Sequence, residues 1–283
     1  MFKHYLITRF NLRNAKWHAT KNKETILTDE WLGHRLSLFH DFCLPSVVGQ
    51  TNKNFKWLIY FDTETPEKFK GEIQALLNDS PFVEHFYIDG MLEFIPSVRN
   101  YIASDSKGVP YIITSRIDND DCISKQYIDA VQGKFNRQDF LALDCVNGYT
   151  LQIKPQCMLG KKEHVFNPFI SLIEKNENPV TVWVNNHAAW KKEPNVLQVK
   201  EPRLWLSIIH DKNVVNKFDG YDNVSWPGIS KEFSIGNDVY ERISKELIPY
   251  GQWKFLSIKN KINVKITAQS KMLKKAVGFY KKQ

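Results

Sequence analysis

Apolar runs alternate with segments of helical periodicity along the first 150 residues of the chain. The extended runs predict five strands, at residues 5–10, 55–61, 82–88, 111–117 and 140–143. Apolar residues at helical spacing predict four helices between them, at residues 31–44, 65–77, 95–103 and 124–131. The first helix is expected to end near Pro45. Strands that alternate with helices predict an α/β fold with a Rossmann-type, mostly parallel sheet flanked by helices.

The pattern changes after Tyr149, where it becomes less regular and richer in aromatic residues. We expect this half to complete the same domain and to be followed by C-terminal helices. The predicted division is therefore one domain over residues 1–245, with halves 1–135 and 136–245, and a basic helical extension over residues 246–283.

Positive charge is concentrated at the C-terminus. The 283-residue chain has a net charge of +8, and the segment from Leu247 to Gln283 has nine lysines and no acidic residue or arginine. The remainder therefore carries a net charge of only −1. A nearly neutral body argues against a nucleic acid partner.

Two further features predict a soluble cytoplasmic protein. No apolar run approaches the ~18 residues of a membrane span, and the N-terminus lacks the pattern of a secretory signal. The four cysteines are far apart and form no CxxC pair, which predicts reduced, buried thiols: Cys43, Cys122, Cys145 and Cys157.

Residues 271–282 combine apolar positions at helical spacing with five lysines. One interpretation is a basic amphipathic helix that lies on an anionic membrane, which would place the protein peripherally on the inner membrane face. The other is an ordinary C-terminal helix that packs its apolar side on the body. Gly278 weakens the helix, and the pattern leaves both interpretations open.

An acidic cluster follows the predicted strand 111–117. In an extended chain alternate side chains point the same way, so Arg116, Asp118 and Asp120 can face one crevice. Neighbouring carboxylates repel unless a cation lies between them, and oxygen ligands suit Mg²⁺ or Mn²⁺ together with phosphates. The alternative is a solvated turn in which Asp121 or Ser124 caps the next helix. The position of the acidic cluster after a buried strand favours the first interpretation, a metal that holds a diphosphate.

Other polar residues follow the first two strands, namely Thr8, Arg9 and Asp62. Ligands of parallel sheets bind beyond the carboxyl ends of the strands. These three residues and the acidic cluster are therefore expected to converge on one crevice.

Several blocks of the sequence resemble the putative rhamnosyltransferase family of GT-A-fold enzymes. The blocks include YLITRFN, TSRIDNDD, TVWVNNH and LWLSIIHDKN, together with residues 30–62 and 167–174, and the likeness extends over residues 4–215. It implies a nucleotide-diphospho-sugar donor and a divalent metal, Mn²⁺ or Mg²⁺. The expected reaction is sugar transfer to a hydroxyl of a cell-surface polysaccharide or glycolipid, with residues 1–135 binding the donor and residues 136–245 the acceptor.

The resemblance also suggests roles for individual residues. The candidates for donor binding are Thr8, Arg9, Arg35, Asp62, Arg99, Arg116 and Asp118. Two of them have competing interpretations: an exposed helix arginine is favoured for Arg35, and a turn residue is equally plausible for Asp62. The candidates for the metal site are Asp118, Asp120, Asp121 and a late histidine. His187, which follows a further predicted strand at residues 181–186, is preferred, and His210 is the runner-up.

The catalytic base is left unassigned. Glu174 and Asp144 are weak candidates, because the first is as readily a surface helix residue and the second a strand-end residue. A metal-dependent nucleotidyltransferase is an alternative function, but it would favour a glycine-rich loop after the first strand, where TRFNLRN has no glycine. A non-catalytic carbohydrate-binding protein would suit the aromatic second half, and Asp118 and Asp120 argue against it.

Overall fold

The computed structural model describes residues 1–14, 27–213 and 216–280, without the side chain of His187. The strands are β1 Phe2–Arg9, β2 Lys56–Asp62, β3 Val83–Ile88, β4 Tyr111–Arg116, β5 Cys122–Ile123, β6 Phe140–Cys145, β7 Asn147–Gln152, β8 Met158–Glu163, β9 Ile170–Lys175, β10 Val196–Val199 and β11 Trp205–Ile209. The α-helices are α1 Asp29–Leu38, α2 Leu44–Val48, α3 Glu67–Leu77, α4 Gly90–Asp105, α5 Tyr127–Gln132, α6 Trp226–Glu232, α7 Asn237–Glu246 and α8 Tyr250–Ala276.

The central sheet has seven strands in the order β10-β6-β9-β4-β1-β2-β3. β9 runs antiparallel to its neighbours β4 and β6, and the other pairs are parallel. All five strands predicted in the first 150 residues belong to this sheet. Ile7 lies opposite Arg116, and Arg9 lies opposite Tyr60, so β1, β2 and β4 end at one edge. The predicted α/β class and mostly parallel sheet are confirmed.

Both faces of the central sheet are buried. Along β2, Trp57, Ile59 and Phe61 join one apolar cluster, while Leu58 and Tyr60 join the cluster on the opposite face. Such continuous apolar runs are typical of parallel strands covered by helices on both sides. α1, α3 and α5 contribute to the first cluster and α4 to the second.

A second sheet, in the order β5-β11-β7-β8, was not predicted from the sequence. It forms a third apolar cluster with α6 and α7. Leu206 and Ile208 of β11 belong to this cluster, together with Trp226 and Ile243 of the two helices. β7 contains a glycine and β8 three charged residues, so neither has a recognisable strand pattern. The sheet continues into residues 210–213, next to the acidic cluster.

Two predicted elements differ from the structure. The first predicted helix does not end near Pro45. Helical backbone continues from α1 through a π-helical segment, Phe39–Cys43, and through α2 to Val48. Pro45 lies in the first turn of α2, where a missing N–H costs little. The strand expected just before His187 is a 3₁₀ segment, Val182–Val184, and a second one, His187–Lys192, follows it. The four cysteines are buried and free, as predicted.

The C-terminal region is helical, as predicted, but its last helix differs in extent. α8 has 27 residues and ends at Ala276, because Gly278 adopts a left-handed conformation with φ of 74°. A helix over all of residues 271–282 is therefore wrong, and Lys281 and Lys282 lie outside the described residues. Within the described part of the chain, no helix is long and apolar enough to cross a membrane.

Candidate active site

The acidic segment Asp118–Asp121 follows β4 at the edge where β1 and β2 also end. The Asn119 side chain donates a hydrogen bond to the carbonyl oxygen of Phe10 at 3.0 Å, which holds the segment against the chain leaving β1. The structure therefore places the cluster at the carboxyl edge of the parallel strands, where ligands of such sheets bind.

The carboxylates of Asp118 and Asp120 have different surroundings. The Asp118 side chain is 35% exposed, and its Oδ1 lies 3.8 Å from Nη2 of Arg116. Asp120 is buried, and its Oδ2 contacts Nη1 of Arg35 and lies 3.1 Å from Nε2 of His210. Burial opposes ionisation of Asp120, but Arg35 and His210 hold its pKa well below the ordinary value. A fully solvated turn does not describe this segment.

Arg35 is buried, so its interpretation as an exposed helix residue is wrong. Its guanidinium group reaches from α1 to Asp120 and also donates to Asn119 Oδ1 at 3.2 Å. The same guanidinium lies 5.2 Å from the ring centroid of Trp31. Arg35 therefore neutralises the carboxylate of Asp120, which brings α1, the acidic segment and residue 210 together.

Asp121 has a structural role rather than a role in the crevice. It is buried, and its Oδ1 accepts a hydrogen bond from the backbone N–H of Ile208 at 2.9 Å. Burial, together with the charges of Asp120 and Asp118, raises its pKa well above the usual range. A metal ligand must be deprotonated, so this environment does not favour Asp121 as a ligand.

Two arginines lie close to the Trp183 indole. The guanidinium carbon of Arg116 is 3.8 Å from a ring centroid of Trp183, and that of Arg9 is 5.3 Å away. Arg116 is buried and Arg9 partly buried. Burial lowers the pKa of Arg116 to about 10, although Asp118 opposes this shift. Two desolvated guanidinium groups beside one carboxylate form a site suited to a phosphorylated anion.

Trp183 was not predicted as a site residue, although it lies within the TVWVNNH block. It belongs to the 3₁₀ segment Val182–Val184 and packs edge-on against Phe94 of α4 at 5.0 Å. Its indole nitrogen is buried and finds no hydrogen-bond partner among the described residues. The contacts with both arginines come from tertiary packing and leave no signal in the local sequence.

Three predicted site residues lie away from this crevice. Thr8 is fully buried and accepts a hydrogen bond from the Trp57 indole at 2.9 Å, so it belongs to the core. Glu174 pairs with Ile112 near the start of β4, at the opposite edge of the sheet. It accepts backbone N–H groups at 2.9 Å and stabilises a turn. Arg99 is exposed on α4 and lines a cleft at that same opposite edge.

Two further candidates lie at the correct edge but are engaged in the fold. Asp62 accepts hydrogen bonds from the backbone and side chain of Arg13, at 2.9 and 2.8 Å. Asp144 is fully buried and accepts hydrogen bonds from Phe166 N at 2.9 Å and Asn167 Nδ2 at 3.1 Å. Burial raises the pKa of Asp144 to about 6. Both carboxylates are buried and accept hydrogen bonds from groups of the fold.

Histidine and carboxylate groups that could hold a divalent metal lie beside Asp120. Ligand atoms of His34, His210 and Asp211 all fall within 4.8 Å of one another. Burial, and next His210, lower the pKa of His34 to about 4, so its imidazole is neutral, as a metal ligand must be. A mixed carboxylate and imidazole set suits Mn²⁺ better than Mg²⁺, which prefers oxygen ligands.

Of the two predicted metal-binding histidines, only His210 has a described side chain. His210 lies at the acidic cluster, 3.1 Å from Asp120. His187 begins a 3₁₀ segment, and its side chain is outside the described structure. His34 was missed because its contact with His210, at 5.0 Å between ring centroids, links residues far apart in the sequence.

Carboxylates and arginines at the carboxyl edge of a mostly parallel α/β sheet are the arrangement of an enzyme that handles a phosphorylated ligand. The chain belongs to the family described as "Putative rhamnosyl transferase", whose model matches residues 3–221. This is the family that the sequence blocks resemble. No curated protein matches the sequence significantly.

Solved structures show distant similarity. S. aureus TarS 1-349 is 9% identical, with a TM-score of 0.39 over 73% of this chain and 60% of that chain. TarS 1-349 in complex with UDP-GlcNAc is 10% identical, with a TM-score of 0.38 over 86% of this chain and 66% of that chain. A "putative nucleotide-diphospho-sugar transferase" from Desulfovibrio desulfuricans G20 is 13% identical, with a TM-score of 0.38 over 88% and 100% of the two chains. The chain thus spans less than two thirds of TarS 1-349.

Proposed function

We propose that this protein transfers a sugar, with rhamnose as the first candidate, from a nucleotide-diphospho-sugar to a hydroxyl of a cell-surface polysaccharide or glycolipid. One observation supports this proposal above the others. Arg9 and Arg116 are held against Trp183 beside the half-exposed carboxylate of Asp118, at the edge where α/β sheets bind nucleotides. The reaction is placed in the cytoplasm, with the acceptor at the inner face of the membrane.

In the proposed reaction, the bond between the anomeric carbon and the diphosphate oxygen breaks. A bond to the acceptor oxygen forms, and the acceptor hydroxyl loses its proton. Arg9 and Arg116 would bind the diphosphate through paired N–H groups and stabilise the charge that it gains on leaving. Their burial strengthens this interaction, because water screens it less.

We further propose that Asp118, Asp120 and His210 hold Mn²⁺ or Mg²⁺, with His34 completing the set on the imidazole side. When bound, the metal would neutralise charge on the departing diphosphate. Asp118 supplies the more accessible carboxylate, whereas Asp120 already has Arg35 as a counterion. Arg35 thus orients Asp120 and lets that carboxylate remain ionised inside the protein.

A screen of nucleotide sugars tests this function. Purified protein would be incubated with dTDP-, UDP- and GDP-linked sugars, and release of nucleoside diphosphate would be measured with Mn²⁺, with Mg²⁺ and with EDTA. We expect one donor to be hydrolysed slowly in a metal-dependent manner, and the Asp118→Asn variant to lose this activity. Equal turnover in EDTA would contradict the metal assignment, and turnover of nucleoside triphosphates alone would contradict sugar transfer.

A further inference from the structure

Helix α8 has two apolar faces, and only one of them packs on the protein. The inner face places Trp253, Ser257, Asn260 and Val264 against the body, where all four are buried. The outer face has five exposed apolar side chains, and Val277 follows directly after the helix. We call these six the apolar stripe: Phe255 (88% exposed), Ile258 (48%), Ile262 (54%), Ile266 (60%), Leu273 (66%) and Val277 (70%).

The spacing of the apolar stripe follows the helix. Its members recur at intervals of three, four or seven residues, so at 3.6 residues per turn they lie on one side, opposite the buried face. The stripe continues along a helix about 40 Å long. Isolated exposed apolar residues are ordinary on protein surfaces, but a row of six along one side of a helix indicates a surface that binds something.

Lysines lie on both sides of the stripe. At 100° per residue, Lys254, Lys261 and Lys265 fall on one flank, and Lys259 and Lys274 on the other. Lys261 and Lys265 also pair with Asp222 and Glu163 of the body. From Leu247 onward the chain has no acidic residue, so no acidic side chain of the helix itself offsets these charges.

We propose that α8 lies on the surface of an anionic lipid bilayer, with the apolar stripe inserted among the acyl chains and its lysines at the headgroups. An apolar row between two basic flanks matches a membrane interface, where apolar surface and negative charge occur together. A second copy of the helix would instead bring lysine against lysine along the whole contact. Nucleic acid would engage the lysines but leave the stripe exposed.

The surface differs from the one that the sequence alone indicated. Lys271 donates to the carbonyl oxygen of Val165 at 3.1 Å, and Lys275 donates to that of Glu193, so both face the body. The membrane-facing residues therefore begin at Phe255 rather than at residue 271. α8 packs on β8 and on the segment His187–Lys192, on the side of the second half of the chain. This proposal does not depend on glycosyl transfer.

Vesicle co-sedimentation of the full chain tests the proposal. Vesicles of phosphatidylcholine alone would be compared with vesicles that contain phosphatidylglycerol, at low and at physiological salt. We expect binding to the anionic vesicles only, weaker at higher salt. A triple variant with Phe255→Gln, Ile262→Gln and Ile266→Gln should bind at least about tenfold more weakly, because the stripe would no longer bury apolar surface.

The matched control is Leu92→Gln, which changes an apolar side chain that is 91% exposed on α4. This variant should bind as the wild type does, and circular dichroism should show all variants folded. The proposal is overturned if the wild type does not bind anionic vesicles or if the triple variant binds equally well. It is also overturned if sedimentation velocity shows a wild-type dimer that the triple variant converts to monomer.

Discussion

The acidic segment after β4 contains three aspartates with three different roles, set by their neighbours. Asp118 remains partly exposed, Asp120 pairs with Arg35 and contacts His210, and Asp121 is buried against a backbone N–H, where burial raises its pKa. From the sequence alone, all three are candidate metal ligands, and Asp121 has helix capping as its alternative role. Their differences arise from contacts with Arg35 and His210, both more than eighty residues away along the chain.

The first prediction at this scale concerns Arg116. Arg116→Gln should weaken binding of nucleoside diphosphate by about 10- to 100-fold, because a buried charge-assisted interaction with the diphosphate is lost. Isothermal titration calorimetry measures this effect directly. Arg99→Gln is the matched control, since Arg99 is exposed at the opposite edge of the sheet, and it should bind normally. Equal affinities for the two variants would remove Arg116 from the site.

The second prediction concerns Asp144, whose pKa burial raises from 3.8 to about 6. Its protonated form is favoured in the folded state, so its contribution to stability is present below about pH 4 and lost as the pH rises through about 6. Relative to Asp144→Asn, the wild type should therefore lose up to about 3 kcal/mol of unfolding free energy across this range. Urea unfolding at several pH values measures it, and a pH-independent difference would contradict the assignment.

At the scale of secondary structure, local pattern predicted five of the seven strands of the central sheet, but not β9, β10 or the second sheet. Strands such as β2 are continuous apolar runs that the sequence displays directly. β7 and β8 are stabilised by what packs on them, which a local pattern does not record. The same limit applies to the site: the Asp118 edge was predicted from the end of β4, whereas Trp183, His34 and the burial of Arg35 depend on tertiary contacts.

The prediction at the scale of secondary structure concerns Gly148 of β7. A Cβ there would lie 2.2 Å from the Trp205 ring, which stacks on Phe169 at 4.7 Å and cannot easily move. Gly148→Ala should lower the free energy of unfolding by about 2 kcal/mol or more. Gly71→Ala on α3 is the control: a Cβ meets nothing within 4 Å there, and alanine is the better helix former.

Thermal and urea unfolding of both variants, compared with the wild type, measure the two changes. We expect the melting temperature to fall for Gly148→Ala and to stay the same or rise slightly for Gly71→Ala. If the two substitutions have equal effects, the close contact between β7 and Trp205 does not limit the packing of the second sheet.

At the scale of the whole molecule, two surfaces have different chemical compositions. The crevice at the carboxyl edge of the central sheet combines arginines, carboxylates and histidines suited to a metal and a diphosphate. Helix α8 displays a basic, apolar surface on the side of the second half of the chain. If both proposals hold, the protein would work on an acceptor held at a membrane while taking its donor from the surrounding solution.

We propose that a metal and a nucleoside diphosphate bind together at Asp118 and its neighbours. The most direct measurement is calorimetric titration of UDP and dTDP into the protein with saturating Mn²⁺ and with EDTA. We predict tight binding of one nucleotide only with Mn²⁺, lost in Asp118→Asn and kept in Asp79→Asn, which changes an exposed carboxylate after α3. Affinity that is unchanged by EDTA, or by Asp118→Asn, would contradict the account.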